Sequence, residues 1–161
     1  MRIVHFFALL LAGIGISACS PGTLVKESQS VNNGVWTYAD SLQFTVAIED
    51  TSRLYDISLL VKHDKSYAFQ NLYVKVHTRF PNGKILSPSL SLELADKSGD
   101  WLGKCSGNTC RIEIPIQQNA YFDEKGDYIF TLEQYMRTDS LPGVRSLGLH
   151  VRDIGPKKGE L

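Results

Sequence analysis

The chain has 161 residues, of which 43% are hydrophobic, and its 17 lysines and arginines balance its 17 aspartates and glutamates. This length fits one domain with a sizeable hydrophobic core. Because the formal net charge is zero and the basic residues are scattered, the sequence lacks the electrostatic footprint of a nucleic-acid-binding protein, and we exclude nucleic acid as a partner.

Residues 1–18 have the pattern of a lipoprotein signal peptide. Arg2 precedes an almost wholly apolar stretch over residues 3–16, and the small residues Ser17 and Ala18 precede Cys19. A basic start, an apolar stretch and a small-residue cleavage site define a secretory signal. A cysteine at this place resembles the lipobox of bacterial lipoproteins, so we predict cleavage before Cys19 and acylation of its thiol. The alternatives are a plain cleaved signal or a spanning helix, which needs about 20 apolar residues.

Residues 19–34 are mostly polar, contain Pro21 and Gly22, and have no hydrophobic period. This composition predicts a flexible tether between the lipid and the folded domain. At the other end of the chain, the polar residues 155–161 predict a disordered tail. The folded domain is therefore expected to span residues 35–154.

Within this domain, apolar and polar residues alternate in seven separate runs, which is typical of half-buried strands. The runs cover residues 42–48, 55–62, 72–77, 90–95, 111–116, 128–133 and 147–152. With no long helical pattern, the sequence predicts an all-β fold, an antiparallel β-sandwich of about seven or eight strands. Pro115 lacks the backbone N–H that a central strand needs, so its run is expected at a sheet edge.

Two further cysteines, Cys105 and Cys110, flank the turn sequence Ser-Gly-Asn-Thr. In an exported chain, this spacing predicts a disulfide that closes a hairpin tip. A reduced pair is the alternative. A metal site would need two further ligands, which no neighbouring histidine or cysteine supplies.

The sequence contains no recognisable catalytic motif, and we expect neither an enzyme nor a bound metal or cofactor. His63, His77 and His150 lie on separate strands and are expected as isolated surface residues. The carboxylates of the loops are dispersed, although a hydrolase with paired carboxylates is left as the least favoured possibility. Eight aromatic residues could either pack in the core or line a glycan-binding face: Trp36, Tyr38, Tyr67, Phe69, Tyr73, Trp101, Tyr121 and Tyr135.

Three segments carry a family resemblance. They are QYMRTDSLPGV at residues 134–144 followed by LGL at 147–149, YAFQNL at residues 67–72, and GDWLG at residues 99–103. Together with the lipobox and the length, they resemble the gliding-motility lipoprotein H family. In that family a proline usually stands between the aromatic residues of the second segment, where this chain has Ala68.

The resemblance implies an envelope lipoprotein without catalytic activity that supports a motility or secretion machinery, with an envelope protein of that assembly as its partner. Ser20 is not the aspartate that retains some lipoproteins at the inner membrane, and residues 20–26 lack the acidic cluster linked to surface export. We therefore expect anchoring in the outer membrane with the domain facing the periplasm. A lipid-anchored glycan-binding module is the alternative function.

The candidate partner-binding residues are Gln134, Met136, Arg137 and Leu141, which follow the last but one predicted strand. Functional residues concentrate on loops, and methionine and arginine are frequent at contact surfaces. In the alternative, Met136 and Leu141 plug the end of the sandwich and Arg137 pairs with a nearby carboxylate. Residues 67–72 are the next candidate.

Two serines, Ser41 and Ser140, each stand in the sequence Asp-Ser-Leu. This tripeptide resembles the O-glycosylation motif of exported proteins in related bacteria. The alternative is that both are ordinary turn serines.

Overall fold

The computed structural model describes residues 22–157, so the predicted signal peptide and Cys19 lie outside the described residues. The described chain contains one short 3-10 helix, Asn32–Gly34, and strands that are numbered in chain order. They are β1 (Thr23–Ser30), β2 (Val35–Trp36), β3 (Leu42–Ile48), β4 (Arg53–Asp64), β5 (Asn71–Arg79), β6 (Ile85–Leu86), β7 (Ser89–Glu93), β8 (Lys104–Ser106), β9 (Thr109–Ala120), β10 (Gly126–Gln134), β11 (Leu141–Pro142) and β12 (Val144–Pro156).

Two antiparallel sheets form the sandwich. The first has the strand order β1-β12-β4-β9-β8, and the second has the order β3-β10-β5-β6, with β7 also paired to β5. A small third sheet joins β2 to β11. The predicted fold class is confirmed. Eight strands have five or more residues, in agreement with the expected seven or eight: β1, β3, β4, β5, β7, β9, β10 and β12.

The core lies between the two sheets and follows from the period of two. Along β3, every second residue from Leu42 to Ile48 is buried and the residues between are exposed. The same alternation places Tyr128, Phe130 and Leu132 of β10 in the interior. Burial of each large apolar side chain contributes about 1.5–3 kcal/mol, so the alternating runs account for how the two sheets pack.

The seven predicted runs correspond to β3, β4, β5, β7, β9, β10 and β12. Pro115 lies at a sheet edge as expected, because it pairs with Ser58 on one side while β8 extends along β9 only as far as Arg111. Among residues 22–157, no helix is long and apolar enough to cross a membrane.

The prediction of a flexible tether over residues 19–34 is wrong for most of that range. Thr23–Ser30 forms β1, which pairs with β12 along its whole length. The start of the predicted tail is also wrong, because Gly155 and Pro156 belong to β12 and pair with β4. Residues 19–21 and 158–161 lie outside the described residues.

The direction of β1 defines two ends of the sandwich. At the proximal end, where β1 begins, the N–H of Asp153 donates to the carbonyl of Gly22 at 2.9 Å. At the distal end, where β1 finishes, the N–H of Val31 donates to the carbonyl of Arg145 at 2.9 Å. An eight-residue strand spans about 25 Å, which separates the two ends.

Candidate binding surface at the distal end

Two segments that are more than 60 residues apart in sequence meet at the distal end. The start of β5 and the end of β10 lie side by side, with Val74 paired to Gln134. Exposed side chains from both segments line a shallow cavity of about 610 Å³. We refer to these residues as the distal surface: Phe69, Asn71, Tyr73, Tyr135, Met136, Arg137 and Thr138.

Met136 fixes one segment against the other. Its sulfur accepts the backbone N–H of Tyr73 at 3.2 Å, while the N–H of Tyr135 donates to the carbonyl of Tyr73 at 2.9 Å. From the far side, the hydroxyl of Tyr38 donates to the carbonyl of Met136 at 2.6 Å. Met136 also packs against the hydrophobic core, as the alternative interpretation expected, and its role in partner binding remains a prediction.

Gln134 holds the loop that follows β10. Its side-chain nitrogen donates to the carbonyls of Thr138 at 3.0 Å and Asp139 at 2.7 Å, and its side-chain oxygen accepts the N–H of Met136 at 2.9 Å. With only 3% exposure, Gln134 cannot contact a partner directly. The prediction of direct binding is therefore wrong for this residue, which positions the loop instead.

Leu141 is also wrongly placed among the binding residues. It is 1% exposed and lies in the core, paired in register with Trp36. Leu141 returns to the interior as the chain approaches β12. Its apolar side chain is more stable buried there than exposed to water. The structure thus gives Leu141 the core role that the sequence had left as the alternative.

Arg137 is exposed on the distal surface, and no carboxylate among residues 22–157 forms an ion pair with it. A second cation, the ammonium of Lys75, lies 5.5 Å from the centre of the Tyr135 ring. Tyr135 itself is 56% exposed. The surface therefore combines aromatic rings with an arginine, side-chain types that are enriched at protein interfaces, whereas lysine is depleted there.

An ion pair lies at the distal end, between the end of β4 and the start of β12. The guanidinium of Arg145 binds both carboxylate oxygens of Asp64, with the Arg145 Nε 2.9 Å from each. These hydrogen bonds hold the pKa of the Asp64 carboxyl below its usual value, and the positive charge of Arg145 adds to the effect. Gly34 beside the pair has a φ of +66°, a left-handed conformation that favours glycine, and a Cβ there would come within 2.5 Å of the guanidinium.

His63 is fully buried, contrary to the expectation of a surface residue. Its Nδ1 lies 2.9 Å from the carbonyl oxygen of Asp64, and its Nε2 has no hydrogen-bond partner within residues 22–157. The rings of Trp101 and Tyr67 pack beside it, and Tyr67 in turn packs edge-on against Phe69. Burial raises the pKa of the Tyr67 hydroxyl, so this phenol remains neutral under the distal surface.

The other two histidines are not isolated either. The Nε2 of His77 lies 3.0 Å from a carboxylate oxygen of Glu133 on the neighbouring strand. His150 is only 8% exposed, and its Nδ1 lies 2.7 Å from Glu113. The first contact joins neighbouring strands, and the second reaches across β4 from β12 to β9. Across the described ranges, no group of three histidine, cysteine or acidic side chains has an arrangement that could hold a metal ion.

The predicted disulfide is present. Cys105 and Cys110 face each other in the register of β8 and β9, and the bond closes the hairpin tip at residues 106–109. Ser41 and Ser140 are both exposed at the distal end, while the leucine that follows each serine is buried. The predictions of O-glycosylation at these serines and of acylation at Cys19 remain predictions.

Sequence reasoning did not connect Tyr38 with Tyr73 and Tyr135. Tyr73 lies between the inward-facing Leu72 and Val74, so the alternation itself identified it as an outward-facing aromatic residue. No local pattern could have identified Tyr38, because its partner loop is 98 residues away.

The fold and the site define a class, an all-β sandwich domain with an aromatic and cationic surface on the loops of one end. The sequence profile of the GldH lipoprotein family matches residues 23–151. The chain belongs to the GldH lipoprotein family, as its sequence motifs had indicated.

Two relatives give the extent of the similarity. The chain is 25% identical over 150 residues to a gliding motility lipoprotein GldH homolog of Christiangramia forsetii, covering 92% of this chain and 91% of the relative. It is also 25% identical over 156 residues to the gliding motility lipoprotein GldH of Flavobacterium johnsoniae, covering 96% of each. Among solved structures, Xyl-CBM35 in complex with a glucuronic acid containing disaccharide aligns with a TM-score of 0.33 and 18% identity, over 88% of this chain and 96% of that one.

Proposed function

We propose that this chain is a non-enzymatic lipoprotein, acylated at Cys19, that binds an envelope protein of a motility or secretion assembly through its distal surface. The proposed location is the outer membrane, with the domain in the periplasm. Membership of a family of gliding motility lipoproteins supports the role in a motility machinery. The choice of binding site depends on one observation, the meeting of residues 69–73 with residues 135–138 in a single exposed surface.

The geometry of this surface supports protein binding in two ways. Its backbone is held by hydrogen bonds from Tyr38, Gln134 and Met136, so the loop has little conformational freedom to lose when a partner binds. Its exposed side chains include Arg137 and Tyr135, and residues of these types dominate the energetics of protein interfaces.

A lipid-anchored glycan-binding module is the second candidate function, favoured by the exposed aromatic rings around the cavity. A sugar ring stacks best on flat, coplanar aromatic platforms. Phe69 packs at 64° against Tyr67, which is 4% exposed, so this ring contact belongs to the interior and offers no platform to a sugar. We prefer a protein partner because Arg137 and Tyr135 are exposed on a loop that hydrogen bonds hold in place.

The test is affinity isolation of the tagged lipoprotein from crosslinked envelopes, with Arg137→Ala compared to wild type. We expect the variant to lose the co-purifying envelope protein while its stability changes by less than about 0.5 kcal/mol, as is usual for exposed positions. Arg111→Ala, an exposed arginine on the other sheet, is the matched control and should retain the partner.

Two outcomes contradict the proposal. If Arg137→Ala retains every partner, then the distal surface is not the binding site. If the purified protein binds isolated envelope polysaccharide, and this binding rather than protein capture is lost in Tyr135→Ala, then the glycan-binding function replaces it.

A further inference from the structure

The exposed large hydrophobic side chains of the described residues fall into two groups. Four aromatic residues lie at the distal end, on or beside the surface described above: Tyr38, Phe69, Tyr73 and Tyr135. Four others lie away from that surface, Leu24 and Tyr121 at the proximal end and Ile85 and Leu86 on the edge strand β6. The second group has no role in the proposed function and requires a separate explanation.

The proximal end is also the end to which the lipid anchor is connected. Only Ser20, Pro21 and Gly22 separate Cys19 from the first residue of β1. Four peptide units extend at most about 14 Å, at roughly 3.5 Å per residue. Because Thr23 is already paired with Arg152 in the first sheet, the chain has no slack beyond these residues.

This distance compares directly with the dimensions of a bilayer. The polar region on each side of a roughly 30 Å hydrocarbon core is only about 6 Å thick. An acyl group on Cys19 must enter the core, so the proximal end is held within or immediately above the headgroups. We propose that the proximal end is a membrane-docking surface that lies against the lipid headgroups of the bilayer that holds the anchor. This inference rests on the proposed acylation of Cys19.

The side chains of the proximal end suit a membrane surface. Leu24, the second residue of β1, is 41% exposed, and Tyr121, which follows the end of β9, is 60% exposed. The ammonium of Lys157 lies 4.7 Å from the centre of the Tyr121 ring. A tyrosine ring with its polar hydroxyl, next to a lysine that can extend its charge into water, is the type of pair found at headgroup level.

The charges at this end have both signs. Lys125 and Lys157 stand beside Asp50, Asp123 and Glu124, so the surface is not a polybasic patch. Docking should therefore depend on the anchor and the apolar side chains rather than on anionic lipids. The expected occupant is a bilayer of any headgroup charge, and binding to it should be insensitive to salt.

Hydrogen–deuterium exchange tests this orientation. The acylated protein in nanodiscs of zwitterionic phosphatidylcholine would be compared with the same chain beginning at Ser20 in solution. We expect at least a several-fold slower exchange in nanodiscs for peptides that cover residues 22–25, 49–53 and 119–125. Peptides that cover residues 67–73 and 134–140 should exchange equally in both samples.

Two variants and a matched control make the test specific. Insertion of 20 glycine and serine residues between Gly22 and Thr23 should abolish most of the proximal protection while acylation is retained. Tyr121→Asp with Leu24→Asp should reduce it as well, whereas Tyr135→Asp, the matched change at the distal end, should leave it unaltered. Salt at 0.5 M should have no effect on the wild-type pattern.

The outcomes separate this inference from the proposed function, because intact mass reports acylation independently. An acylated wild-type chain whose proximal peptides exchange as fast as in solution overturns the docking surface alone. An unacylated chain overturns the anchor and the docking surface together. Protection at the distal peptides instead of the proximal ones would reverse the orientation and overturn the inference.

Discussion

The hydroxyl of Tyr38 donates a 2.6 Å hydrogen bond to the backbone carbonyl of Met136, across 98 residues of sequence. The backbone N–H of Tyr38 also donates to the side chain of Asp139 at 2.9 Å. One short segment before β3 therefore holds both sides of the loop after β10. Since that loop carries Tyr135 and Arg137, the position of the distal surface depends on a contact between distant parts of the chain.

The first prediction concerns Gln134, which binds the same loop from the interior. Gln134→Leu removes three hydrogen bonds and leaves the partner groups of Met136 and Asp139 without their buried donor or acceptor. We expect a loss of about 1–3 kcal/mol in the free energy of unfolding, measured by urea denaturation. Amides of residues 135–140 should exchange faster.

Gln118→Leu is the control for this change, because Gln118 is exposed on β9. It should alter the free energy of unfolding by less than about 0.5 kcal/mol. Equal stability of the two variants would show that the hydrogen bonds of Gln134 do not hold the loop.

The role of Gln134 could have been predicted from the sequence. It stands two residues after Leu132 in the same inward-facing series as Tyr128 and Phe130, so alternation alone places it in the interior. The loop carbonyls that it binds could not be predicted, because the alternation carries no information about the backbone path after β10. Arg137, three residues further along the chain, is exposed, as its candidate role in partner binding requires.

The pH dependence of stability gives the second prediction. The hydrogen bonds and charge of Arg145 lower the pKa of Asp64 in the folded state, so the carboxylate favours folding above the unfolded pKa of about 3.9. This stabilisation is lost as the pH falls through the lower, folded-state pKa. We expect Asp64→Asn to be less stable than wild type at pH 7 and to lose less stability on acidification from pH 6 to pH 2.

Other carboxylates limit the size of this effect. The backbone N–H of Asn119 and the guanidinium of Arg152 lower the pKa of Asp56 as well, so the acid dependence should shrink in Asp64→Asn and not vanish. Asp127→Asn, an exposed change on β10, is the control. An unchanged slope in Asp64→Asn, measured from urea midpoints across the pH range, would refute the assignment.

The sequence predicted most strands but missed β1, and the reason is physical. β1 is an edge strand whose residues are mostly exposed on both faces, so it has no alternating hydrophobic signal. Its pairing is set by the partner strand. Gly148 of β12 permits the close approach, because a Cβ there would lie 2.3 Å from the carbonyl oxygen of Glu27.

The disulfide supplies a third prediction. Replacing both Cys105 and Cys110 with serine frees a short loop, for which the chain-entropy model gives about 2 kcal/mol of lost stability. Although Cys110 is fully buried, it lies outside the cluster of apolar side chains between the sheets, so the variant should still unfold in one cooperative transition. Thermal unfolding checks both statements, and an unfolded double variant would show that the hairpin contributes far more than the loop entropy.

O-glycosylation of Ser41 and Ser140 is the fourth prediction. Both hydroxyls are exposed at the distal end, where a glycosyltransferase can reach them, and each lies between an aspartate and a buried leucine. The Ser41→Ala/Ser140→Ala variant lacks two hydroxyl oxygens. The intact mass of the wild-type protein from native envelopes should exceed that of the variant by these two oxygens and by the mass of the attached sugars. Ser98→Ala, in an exposed turn, should lose only the mass of its own hydroxyl oxygen. Unmodified peptides at both sites would refute the prediction.

The last prediction concerns the anchor itself. Cys19→Ser removes the thiol that forms the thioether with the lipid, so the chain should accumulate as an uncleaved precursor or appear in a soluble fraction. Each buried methylene contributes about 0.8 kcal/mol, so several acyl chains make membrane attachment effectively permanent, and their loss should be complete in fractionation. The Cys105→Ser/Cys110→Ser variant is the control, since it retains Cys19 and should stay in the membrane. Normal labelling of Cys19→Ser with a lipid precursor would contradict the prediction. It would also remove the geometric reason for placing the proximal end of the sandwich on the bilayer.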